Sequence, residues 1–192
     1  VYNGHPGINH LGDSKRPWDE KIWDIANTIR LATLKSDPLY GISSDDSHYY
    51  HGGDVKPGRG CVMVQSSSLE EDSIVRSMDS GNFYGSSGVH FKHLLRDQKK
   101  GILEFEIEED ADAEYVTNII GTRKGNENKP DLVGEILATI KGKKVQYKLK
   151  DNEWYFRVTV TSSKNHPRPS FNGQKEQAWT QPIWDSSAIR KK

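Results

Sequence analysis

The 192-residue chain has one cysteine, few apolar residues and no excess of charge of either sign. A single thiol, Cys61, excludes an intrachain disulfide framework and fits a reducing compartment. Hydrophobic residues reach only 33% against 28% charged, which implies a modest core. Lys plus Arg and Asp plus Glu each number 27 and cancel, so nothing draws the chain generally toward nucleic acid or anionic membrane. No apolar run approaches the ~20 residues that span a bilayer, and no signal peptide is visible. Neither nucleic acid nor membrane is therefore an expected partner.

What the chain does have is organised in two textures. Residues 17–34 read as an amphipathic helix: Pro17 suits the first turn, Asp19 and Glu20 sit at the positive end of the dipole, and Ile22, Ile25, Ala26 and Ile29 form the stripe expected to be buried. Asp37-Pro38 stops it. Residues 39–43 and 61–65 read as strands. Residues 68–71 read as a capping box opening a short helix that ends at Gly81. This is the expected end of an α/β layer. From about residue 89 short alternating strands take over, clearest at residues 103–108 and 145–150, with others at 115–120, 135–140 and 154–161. The expected division is residues 1–88, α/β, followed by residues 89–192, an all-β, sandwich-like unit.

The most informative segment is residues 40–51. In Asp46-Ser47-His48 a carboxylate and an imidazole stand two apart, and on extended backbone both leave the same face. A hard oxygen and a borderline nitrogen donor suit a divalent cation, although a catalytic zinc-type centre takes three protein donors. The same residues also serve as a turn, with Asp45 or Asp46 capping it. Arg59, between two glycines, has the planar fork that grips phosphate; a solvated loop arginine is the alternative. His5 follows a short strand and could face the same mouth. The stretch Gly85-Ser86-Ser87-Gly88 offers amides and hydroxyls to an anion, or a plain turn. His51 reads as a surface residue, Asp24 as an exposed helix position, and His90 and His93, three apart, as facing opposite sides of a strand.

Several short stretches occur here in a particular order: Tyr2-Asn3-Gly4-His5-Pro6, Gly12-Asp13, Trp23-Asp24, Ser44-Asp45-Asp46-Ser47-His48, residues 58–64, residues 81–88 and residues 178–183. Together they resemble the PHP (polymerase and histidinol phosphatase) family of metal-dependent phosphoesterases, in its stand-alone bacterial members with an added β domain. The likeness runs from residue 2 to about residue 184. It implies the C-terminal portion of a PHP-type β/α barrel followed by a β-sandwich-like domain. It also implies hydrolysis of a small phosphoester by water bound to divalent metals (zinc, manganese or iron), with Asp46 and His48 as metal ligands and His5 and Arg59 touching substrate. The family's N-terminal His-x-His pair occurs nowhere among the seven histidines. The expectation is that most ligands lie in a preceding part. Barrel strands left without neighbours invite self-association. The alternative reading is a non-catalytic β-sandwich binding or assembly module that uses exposed Trp154, Trp179 or Trp184.

Overall fold

Strict alternation in Leu103-Glu104-Phe105-Glu106-Ile107 sends three apolar side chains to one face and two carboxylates to the other, and the sheet built on it behaves accordingly. The structure is a computed structural model that describes residues 1–108 and 110–189. Strands β1 (Tyr2–Asn3) and β2 (Ser43–Ser44) flank helix α1 (Asp19–Thr28), which continues as a wider turn over Ile29–Leu34. Then come β3 (Cys61–Val64), helix α2 (Glu71–Asp79), β4 (Phe83–Ser86), β5 (Phe91–Asp97), β6 (Ile102–Ile107) and β7 (Tyr115–Arg123). The chain closes with β8 (Glu135–Lys141), β9 (Lys144–Lys148), β10 (Glu153–Asn165), β11 (Lys175–Thr180) and β12 (Ile183–Trp184).

Two antiparallel sheets pack face to face. The larger has the order β3-β4-β11-β10-β7-β8, with β12 also on β10; the smaller is β5-β6-β9. Phe156, Val158 and Val160 of β10, Ile119 of β7 and Ala178 of β11 meet Leu94, Leu103, Phe105, Ile107 and Val145 of the smaller sheet in one core. At about 25 cal/mol per Å² of apolar surface removed from water, this contact is the main stabilising term.

The other face of β10 carries Tyr155, Arg157 and Thr159, and α1 covers it. Arg157 is 1% exposed. Its Nε and Nη2 donate to Asp24 Oδ1 and Oδ2 at 2.8 and 2.7 Å, and its Nη1 donates to Glu20 Oε2 at 2.7 Å. Tyr155 donates to Asp24 Oδ1 at 2.8 Å, and Trp179 Nε1 to Glu20 Oε1 at 2.9 Å. Burial opposes the charge on Arg157, but Asp24 and Glu20 outweigh it and hold the pKa above the usual guanidinium range.

This arrangement corrects two expectations. The chain is not the end of a β/α barrel. Among the described residues strand makes up 36% against 16% helix, with two α-helices, and both larger sheets are antiparallel. The strands expected to belong to an α/β layer, β3 and β4, pair antiparallel with each other, and β4 pairs with β11 from the far end of the chain. The short helix between them buries only Ser73, so it lies on the surface and does not serve as a crossover. Among the described residues the only parallel strand pair is β1 with β2, over two residues each. Second, α1 does not bury its isoleucine stripe. It buries Trp23, Asp24, Asn27 and Thr28, while Ile22 and Ile29 stay exposed. The cause is the surface it meets: Tyr155, Arg157 and Thr159 need charged and hydrogen-bonding partners, and a buried guanidinium without one is strongly destabilising. Asp24, expected at an exposed position, is therefore 2% exposed.

Candidate functional site

The parallel pair sets Tyr2 beside Ser43 and Asn3 beside Ser44, so the segments leaving both strands emerge at the same end. That end collects Asn3, His5, Asp46 and His48. Asn3 is the clamp: its Nδ2 donates to Asp46 Oδ2 at 3.1 Å, and its Oδ1 accepts the His5 backbone N–H at 2.8 Å. His48 Nε2 lies 3.2 Å from Asp46 Oδ1, and the rings of His5 and His48 meet edge-on with centroids 5.3 Å apart. Asp46 has φ of 46°, a left-handed conformation that aspartate tolerates better than most side chains. The Asn3 hydrogen bond, aided by His48, holds the Asp46 carboxyl below the usual carboxylate range.

Asp45 does separate work. Its two oxygens accept the backbone N–H groups of Gly58, Arg59 and Gly60 at 2.9, 2.5 and 2.7 Å. Burial alone pushes its pKa up; the three amides outweigh that and keep it low. Asp45 thus ties the glycine-rich loop to the end of β2.

Arg59 sits in that loop but turns inward. It is buried, with Nη1 donating to Lys56 O at 2.7 Å and Nη2 to Asp54 O at 3.1 Å. His166 Nε2 donates to the Arg59 carbonyl at 3.0 Å. The guanidinium therefore braces its own loop. It borders a cavity of about 210 Å³, also lined by Cys61, His90, His166 and Glu176, on which Asp45 is a wall residue. Asp46, His48 and His5 do not line this cavity.

The other sequence candidates fall as follows. Ser86 is engaged locally, as in a turn, donating to Val89 O at 2.7 Å and accepting from Gly88 N at 3.0 Å, whereas the Ser87 hydroxyl accepts from Gln177 N of β11 at 3.1 Å. His51 is exposed. Trp179 and Trp184 are buried, and Trp154 is half-buried beneath Lys35 and Lys124, so these rings pack and offer no open binding platform. Glu20 and Arg157 were not foreseen. The alternation of β10 did place Tyr155, Arg157 and Thr159 on one face, but nothing local distinguishes such a face from a solvated one.

In kind, a carboxylate and two imidazoles suit a divalent cation. In number and arrangement they fall short: among the described residues no group of three His, Cys, Asp or Glu side chains is placed to hold a metal. His5 shows why. Its Nδ1 accepts the Gly7 N–H at 2.9 Å, which leaves the proton of the neutral ring on Nε2. Ligation through Nε2 requires the other tautomer and the loss of that bond. The same holds for the pair itself: an ionised Asp46 only accepts, so His48 Nε2 gives its proton to Asp46 Oδ1, and a cation shared by the two would displace that bond.

No helix among the described residues is long and apolar enough to cross a membrane. No family model matches the chain, nor does any curated protein or solved structure.

Proposed function

We propose that the chain is a divalent-metal-dependent hydrolase acting on a small phosphoester. One observation carries the reading: Asn3, His5, Asp46 and His48, up to 45 positions apart in sequence, converge at the shared end of a parallel strand pair. The order of short motifs along the sequence resembles that of PHP enzymes, although the β/α barrel which that resemblance implied is not the fold of this chain.

In it, Asp46 and His48 are the metal donors this chain supplies. Bound metal would lower the pKa of water to make the attacking hydroxide. Asn3 fixes the rotamer of Asp46 and, through the His5 backbone, the position of the second ring. The depressed pKa of Asp46 keeps its carboxylate charged, as a donor must be. Asp45 holds the loop of residues 54–60 against the site, with Arg59 as its internal brace.

The test is hydrolysis of 4-nitrophenyl phosphate by the chain supplemented in turn with Zn²⁺, Mn²⁺ and Fe²⁺, alongside Asp46→Ala and His48→Ala. The expected result is metal-dependent turnover that falls roughly a hundredfold or more in each variant. Turnover absent with every metal, or present and indifferent to both substitutions, would overturn the reading.

A further inference from the structure

Between β1 and α1 the chain runs through residues 5–18, and of these only His10 is buried. The segment starts from a fixed point: Gly4 donates its N–H to Ser44 O and accepts from Ser170 Oγ, each at 2.7 Å. Beyond His5 the hydrogen bonds close within residues 5–18 or on the start of α1, where the Asp19 N–H donates to His10 O at 3.0 Å. What holds the segment to the rest of the molecule is therefore the His10 side chain, 8% exposed. Its ring centroid lies 5.1 Å from that of Phe171 and 5.5 Å from that of Tyr2. It borders two cavities, of about 250 and 50 Å³. Neither ring nitrogen has a hydrogen-bond partner among the described residues. A neutral imidazole tolerates such a seat far better than an imidazolium, which carries a charge and two donors to satisfy.

We propose that His10 is an acid-release latch: neutral, it pins residues 6–18 against Tyr2 and Phe171, and on protonation it leaves its seat and frees that segment while both sheets stay folded. The groups around the ring do not make up for its burial. Asp19 of α1 and the Asn3 carbonyl of β1 favour the charged ring, and the Val1 amino group opposes it. Glu20, which borders the smaller cavity, is already paired with Arg157. Phe171 and, from β11, Gln177 and Trp179 bring no charge. Burial outweighs the rest and holds the ring pKa below the ordinary 6.5. A released ring takes up its proton at the ordinary value. The seated state is thus fully favoured above 6.5 and loses ground below it, about tenfold per pH unit until the seated ring itself titrates. The response is local because no other buried side chain within residues 5–18 resists it. Release opens the Tyr2 ring, 5% exposed, to water. The latch uses neither Asp46 nor His48 and is independent of the phosphoester reading.

Nuclear magnetic resonance of the whole chain, titrated from about pH 8 to about pH 4, tests it, with His10→Phe as the variant that fills the seat and cannot titrate. The His10 ring is expected to titrate below 6.5. Across the same midpoint the backbone order parameters of residues 6–18 should fall from about 0.85 toward 0.6 or less, while those of β7 and β10 hold. In His10→Phe the segment should stay ordered throughout. Should that variant misfold, His10→Leu replaces it, and the wild-type titration is decisive by itself. His10 titrating at or above 6.5 would overturn the proposal. So would order parameters of residues 6–18 that do not change across the His10 midpoint, the same loss of order in the variant, or unfolding of the sheets at that midpoint.

Discussion

Arg157 on β10 and Asp24 on α1, 133 residues apart, form a two-pronged ion pair almost wholly out of solvent. It is one of the points at which helix α1 is fastened to the sheet, beside the Thr28–Thr122 hydroxyl pair at 2.8 Å and the Trp179–Glu20 bond. Removing one partner leaves the other charge buried and uncompensated. Asp24→Ala is expected to cost about 3–5 kcal/mol in urea unfolding. Asp24→Leu combined with Arg157→Met should cost much less than the two single changes added together.

Glu20 makes the same junction sensitive to acid. Burial raises its pKa, but Arg157, Trp179 and Thr159 outweigh that and hold it below the ordinary value of 4.5. A carboxyl depressed on folding contributes its stability in full above the unfolded value and loses it as pH falls through the folded one. Unfolding free energy should therefore be flat with respect to Glu20 above about pH 5 and drop below 4.5. Glu20→Gln should be less stable at neutral pH and show a shallower acid limb in a series of denaturant titrations.

These two residues also mark what the sequence reveals. The alternation in β6 and β9 is local, and it announces both strands and their buried faces. The face that α1 buries is decided by Tyr155, Arg157 and Thr159, more than 120 positions away, and the sheet's charge reverses what helical periodicity alone indicates. The Asp46-Ser47-His48 spacing does bring the two side chains together, but not on the extended backbone it suggested: Asp46 is left-handed, with φ of 46°, beyond the end of β2. The part played by Asn3 was not legible, since it depends on β1 lying beside β2. Arg59 between glycines suggested a phosphate grip, whereas the carbonyls of Lys56 and Asp54 occupy its fork.

Asp45 is expected to act on its loop more than on the core. Asp45→Ala removes the acceptor of three backbone amides. Hydrogen exchange at Gly58, Arg59 and Gly60 should lose protection, with a global loss of about 1–3 kcal/mol.

Gly121 reports on how closely β7 and β10 approach. A Cβ built there would lie 2.1 Å from the Tyr155 carbonyl oxygen and 3.1 Å from Phe156 Cα, both backbone. Gly121→Ala should therefore cost about 3 kcal/mol or more in thermal or urea unfolding, because relief requires the two strands to part.

The measurement that bears most directly on the proposed centre is the metal content of the purified chain by elemental mass spectrometry, beside Asp46→Ala with His48→Ala. The account predicts zinc, manganese or iron near one or more per chain in the wild type and its loss in the double variant. Wild type and variant alike free of metal, or alike in carrying it, would contradict the assignment of Asp46 and His48 as donors.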